Sequence, residues 1–160
     1  MTGADGQTRT FQARAKETAA EPTADFVAEL TAGNDAISDL TAQVMAFLEQ
    51  AGVDQRAAHH ATLVLHELLA NVADHGGVPD AKASVSIAVS PVRVTGEVLD
   101  GGKMFDPSLA RDVDLSADVG ARPVGGLGLL LMRRLTESLA YERVGERNRT
   151  TFSIGRTRAP

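Results

Sequence analysis

The sequence contains no cysteine, so it can form neither a disulfide nor a thiolate metal site, a usage that suits a reducing cytosol. It contains no apolar run approaching membrane-spanning length, and its N-terminus lacks the apolar core of a signal peptide; no membrane contact is expected. Excess positive charge is missing as well. The formal net charge of −5 argues against a nucleic-acid surface, which would need a basic patch. It leaves a nucleotide open, because a few local groups can hold its phosphates. A cytoplasmic protein is expected. Two common site signatures are also absent. "GGLGLLL" carries no Gly-Lys-Ser/Thr ending, so there is no P-loop, and His66-Glu67 is followed by Ala70 where a helical zinc site needs its second histidine. His59 and His60 are too loosely spaced to complete such a set.

At 160 residues, with 43% apolar and 23% charged content, the chain fits one globular domain with a sizeable core. Residues 1–22 are rich in Ala, Thr, Glu and Gly with a lone Phe11, and read as a flexible extension, although "RTFQARA" could dock as an extra strand. Residues 23–157 carry the periodic patterns. "ADFVAEL" alternates as a half-buried strand does, and Gly33-Asn34-Asp35 supplies a break with N-cap chemistry. Ile37, Leu40, Val44, Phe47 and Leu48 follow helical spacing until Gly52. Asp54 can cap a second helix that buries Ala57, Ala61, Val64, Leu65, Leu68 and Val72. "KASVSIAVS" and "VRVTGEVLD" read as a hairpin across Ser90-Pro91. A long Asp-, Gly- and Pro-containing segment follows, then a helix in "LGLLLMRRLTESL", then two strands around Gly145. The order β-α-α-β-β-loop-α-β-β gives an α+β two-layer sandwich: a mixed, mostly antiparallel sheet covered on one face by three helices.

Three segments carry chemistry. Within "LVLHELLANVADHGG", Glu67, Asn71 and His75 fall four residues apart and share one helix face. A carboxylate one turn from an amide can hold a nucleophile beside a hard cation such as Mg²⁺, which takes oxygen ligands; alone, the trio is equally a solvent-facing polar stripe. "LDGGKMFDP" puts Asp100 at a strand tip, where it can accept a hydrogen bond from a purine amine; alone, Asp-Gly-Gly is a turn. "GGLGLLL" opens a helix with glycines, whose free N–H groups and dipole suit phosphate or simply make a tight turn.

Together and in this order, the segments resemble the motifs of the Bergerat-fold (GHKL) ATPases: "HELLANVADHG" the N-box, "LDGGKMFDP" the first glycine box and "GGLGLLLMRRL" the second. "MFDP" and the terminal "GERNRTTFSI" are similar to the anti-sigma-factor serine kinases of the RsbW and SpoIIAB type, over residues 24 to 155.

The resemblance implies ATP and Mg²⁺ as cofactors, a STAS-domain antagonist as protein substrate, a sigma factor as second partner, and a homodimer. It implies Glu67 as general base, Asn71 as Mg²⁺ ligand, and His75 and Gly76 beside the nucleotide. Asp100 would bind the adenine amine, with Gly102 and Phe105 next to the base. Gly126, Leu127 and Gly128 would meet the phosphates under a lid of residues 109 to 125. Thr151 would support Asp100, with Thr150 as the other register. Met104 stands where the family commonly has Gly or Pro, and could narrow the adenine pocket. Arg111 and Arg122 are the lid cations by position. A binding regulator gated by nucleotide, without kinase activity, is the alternative reading; ATP hydrolysis driving a conformational change is a third.

Overall fold

The computed structural model describes residues 22–78, 80–109 and 126–157. The elements occur in the expected order. Strand β1 spans Ala24–Thr31, helix α1 Asn34–Gln50 and helix α2 Gln55–His75; β2 spans Lys82–Val89 and β3 Arg93–Asp100. A 3₁₀ turn at Pro107–Leu109 precedes α3 (Gly126–Leu135), β4 (Ser138–Val144) and β5 (Arg147–Gly155).

Helix α1 buries Ile37, Leu40, Val44 and Leu48, a stripe at helical spacing that turns one face to the sheet. Phe47 sits at the stripe's edge, only half-buried, with its ring 5.6 Å from that of Phe26 in β1. The helix starts differently from expectation. Its N-cap is Gly33 in an extended conformation, and no side chain caps it. Asp35 instead lies in the first turn, where its charge opposes the positive end of the dipole.

Asp54 does cap α2. Its Oδ1 accepts from the Ala57 amide at 3.0 Å, and its Oδ2 accepts from the Thr157 amide at 3.0 Å, tying the chain beyond β5 to the start of the helix. Helix α2 buries Ala57, Ala61, Val64, Leu65, Leu68, Leu69 and Val72, with the small residues first and the large ones later. It ends at His75; Gly76 remains right-handed, and Gly77 takes the left-handed conformation (φ +65°) that releases the chain.

The sheet order is β1-β2-β3-β5-β4, and all four ladders are antiparallel. The expected mixed component therefore does not occur among the described strands. Two helices bring the chain back to β1's flank for β2, reversed in direction, and α3 returns it so that β5 lies antiparallel between β3 and β4. Ala83, Val85, Ile87 and Val89 of β2, with Val94 and Val98 of β3 and Phe152 and Ile154 of β5, are buried against the helices. The alternate residues, such as Val27, Thr95 and Arg149, face away from them. Burial on one face only is the mark of a two-layer α+β sandwich. The site lies where α2 ends against the C-terminal end of β3. Nearly all of the extension expected over residues 1–22, and the lid from residue 110 to 125 with Arg111 and Arg122, lie outside the described residues.

Candidate nucleotide site

A narrow cleft runs between the C-terminal half of α2 and the inner face of the sheet. Its walls include Leu68, Asn71, Val72, His75 and Gly76 from α2, Val98 and Asp100 from β3, Phe105 from the following loop, and Asn148 and Thr150 from β5. Room for water-sized occupants inside it is about 20 Å³. The wall without regular secondary structure is the loop carrying Phe105.

Asp100 is the charged group at the cleft's base, buried to 6% exposure. Its Oδ1 accepts from the Gly102 amide at 2.8 Å and from Asn148 Nδ2 at 2.9 Å. Among the described residues no donor reaches Oδ2, so one carboxylate oxygen keeps its capacity for a ligand donor. Apolar side chains of Leu68, Val72, Val98 and Phe105 line the same cleft. An aromatic base with an exocyclic amine suits this combination of a buried carboxylate oxygen and nearby apolar side chains.

The loop after Asp100 is held close to α2. The Lys103 amide donates to the Gly76 carbonyl at 3.0 Å. A Cβ at Gly102 would come within 2.8 Å of the Gly76 Cα and 2.9 Å of Asp100 Oδ1, so only glycine lets the two backbones approach this far. His75 and Phe105 close one side as a stacked pair, centroids 5.4 Å apart and planes 17° apart.

Glu67 lies two turns before His75 on α2. Its Oε2 occupies the space that a Cβ on Gly128 would need, so the carboxylate rests directly on the first turn of α3. That turn begins at Gly126, at the positive end of the helix dipole. Leu127 is 63% exposed. Glu67, Asn71 and His75 follow one line of α2, with Glu67 at the α3 end and His75 at the Asp100 end.

Two sequence-based expectations need correction. Thr151 does not support Asp100. It pairs with Glu97 in the β3–β5 ladder and lines the opposite face of the sheet, whereas Thr150 pairs with Val98, is buried and lines the cleft. A one-residue shift along a strand reverses the face, and of the two threonines it is Thr150 that shares the cleft with Asp100. Nor does Met104 narrow the cleft: it is 70% exposed and absent from the lining.

Asn148, with Tyr141 and Arg143 beside it, belongs to the site without any motif to mark it. Asn148 Oδ1 accepts from the Tyr141 hydroxyl at 2.7 Å and from Arg143 Nη1 at 2.8 Å. Burial pushes the Tyr141 phenol's pKa up, with the carboxylates of Asp106 and Asp100 adding to the shift against Arg143, so it remains a donor. The signal in "YERVGERNR" was an alternation on a tight hairpin, with Tyr141, Arg143 and Asn148 all polar where inward-facing residues were expected to be apolar.

The model of the histidine kinase-like ATPase domain matches residues 30–154. The chain belongs to that family. A serine/threonine-protein kinase of Bordetella bronchiseptica, BtrW, is 30% identical over 94 residues, 58% of this chain and 66% of BtrW, just under two thirds of its length. Among solved structures, that of the RsbU and RsbW domains of a Mycobacterium tuberculosis protein aligns with TM-score 0.60 and 18% identity. It covers 85% of this chain, which spans about a third (34%) of that longer one, and the likeness is one of fold. The catalytic domain of histidine kinase ThkA aligns over 84% of this chain and 99% of its own, with 16% identity and TM-score 0.49. The family is the GHKL superfamily to which the three motifs pointed, and ATP binding is its shared property.

Proposed function

We propose that residues 23–157 form an ATP- and Mg²⁺-dependent serine/threonine kinase domain of the anti-sigma-factor type, with residues 1–22 as an extension outside it. Its substrate is a small STAS-domain antagonist, and in the alternative complex it sequesters a sigma factor. Nucleotide state and phosphorylation then select between two partners, in the cytoplasm and from a homodimer. The observation that carries the reading is the contact of Glu67 with Gly128, which sets a carboxylate against a helix N-terminus, one turn from Asn71. The curated relative named as a serine/threonine-protein kinase supports the same class.

The residues of the cleft divide the work. Asp100 Oδ2 accepts an N–H of the adenine amine while Leu68, Val72 and Phe105 cover the ring. Backbone N–H groups at Gly126, Leu127 and Gly128 receive phosphate oxygens, aided by the helix dipole. The Asn71 side-chain oxygen is a ligand of the type that Mg²⁺ takes. Glu67 receives the proton of the substrate serine or threonine hydroxyl, which makes that oxygen a better nucleophile. ATP–Mg²⁺, when bound, supplies the transferable phosphoryl group and the divalent charge that offsets its oxygens.

Incubation with labelled ATP–Mg²⁺ and the STAS proteins of the same genome tests the reading. Transfer to one of them is expected, together with its loss in Glu67→Ala at unchanged ATP affinity. Tight ATP binding with transfer to none would leave a nucleotide-gated binding regulator in place of the kinase.

A further inference from the structure

Asn148 is 3% exposed, and every polar atom of its side chain is engaged. Oδ1 accepts from Tyr141 and from Arg143. Nδ2 donates to Asp100 Oδ1 at 2.9 Å and to the Lys103 carbonyl at 2.9 Å, with the Gly102 carbonyl at 3.3 Å. The orientation of this amide is forced. Arg143 can only donate, so Oδ1 must face it, and Nδ2 must face the carboxylate and the two carbonyls. Arg143 Nη1 also donates to the Gly102 carbonyl at 2.9 Å, fixing the same loop a second time.

This arrangement determines what Asp100 can offer a ligand. Two N–H donors, from Gly102 and Asn148, converge on Oδ1. The carboxylate can no longer turn that oxygen toward the cleft, and Oδ2 is left as an acceptor at a fixed place. A 6-amino purine meets it with a donor. A 6-oxo purine would meet it with a second acceptor, which leaves two lone pairs opposed in a buried site.

We infer that Asn148 is the positioning residue that makes this cleft select adenine over 6-oxopurines, acting through Asp100 and locked in orientation by Tyr141 and Arg143. The inference rests on the adenine reading of the cleft. An isosteric Asn148→Asp change puts an oxygen where Nδ2 donates, repels Asp100 Oδ1 and frees the Asp100 carboxylate to turn. Selectivity then falls although the phosphate-binding turn of α3 is untouched.

The test measures dissociation constants of the full chain for ATP and for inosine triphosphate, which differ at the 6-position of the base and share the phosphates. The wild-type protein is expected to prefer ATP by on the order of ten- to a hundredfold. In Asn148→Asp that ratio is expected to fall to within a few-fold, through weaker ATP binding with little change for the inosine nucleotide. Equal weakening of both nucleotides marks a structural role and overturns the inference, as does an undiminished ratio. Should Asn148→Asp fail to fold, Tyr141→Phe removes one anchor of the amide while keeping Asn148; a several-fold drop in the ratio is expected, and an unchanged ratio overturns the inference. A wild-type protein that binds neither nucleotide, or both equally, refutes the adenine reading itself and this inference with it.

Discussion

Glu67 and Gly128 share one space: Oε2 of the glutamate fills the volume that any side chain at 128 would claim. The intruding atom is the far end of a flexible side chain, so a methyl group there can be accommodated by moving the carboxylate. Gly128→Ala is therefore expected to fold normally and to displace the carboxylate proposed as proton acceptor. Phosphoryl transfer should fall by about 10²-fold or more, the scale of a lost general base, with thermal stability close to wild type. Normal turnover in Gly128→Ala would separate the contact from the chemistry.

The register of β5 gives a paired test. Thr150 is buried in the cleft and Thr151 faces the other side of the sheet. Thr150→Val is expected to weaken adenine-nucleotide affinity several-fold. Thr151→Val should leave affinity unchanged and move stability by no more than about 0.5 kcal/mol, as surface changes do. Titration of both variants with ATP reads the difference directly, and the reverse order would reinstate Thr151.

The His75–Phe105 stack ties the end of α2 to the loop that follows β3. A double-mutant cycle on His75→Ala and Phe105→Ala, followed by urea unfolding, is expected to give a coupling of about 0.5–1.5 kcal/mol. Additive losses would mean that the two rings stabilise the protein independently.

Asp54 makes stability depend on acid pH. Burial alone would raise its pKa, but the Ala57 and Thr157 amides and the charge of Arg56 outweigh that and hold it below its ordinary value of 3.8. The unfolded chain therefore binds this proton more readily than the folded one. The contribution is complete above the unfolded pKa and is lost as pH falls through the lower folded value. Asp54→Ala is expected to cost about 1 kcal/mol near neutral pH, the usual worth of an N-cap. The gap to wild type should close in acid below the ordinary carboxylate pKa. Denaturant melts at neutral and acid pH check both parts; a gap that persists in acid would exclude the charge as its source.

Local patterns carried much of the fold. The inward positions of α1, α2 and β2 repeat with periods that follow from backbone geometry alone, and the buried residues fall on them. The capping of α1 was less legible, because Gly33, Asn34 and Asp35 each satisfy the composition of a helix start and only the conformation chooses between them. In the site, Glu67, Asn71 and His75 were readable because one helix fixes their mutual geometry. Thr150 was harder, since adjacent threonines look alike in sequence and differ only in the face that pairing gives them.

By itself, the sequence determined the amphipathic faces, the helix boundaries at Gly52 and Asp54, and the order of three motifs. These depend on residues close along the chain. Only the tertiary structure decided that Glu67 meets Gly128, that Met104 faces solvent, and that Asn148 holds Asp100 across 48 positions. Those relations join separate elements, and nothing local can specify a contact until the sheet order and the packing of α2 bring both partners to the same cleft.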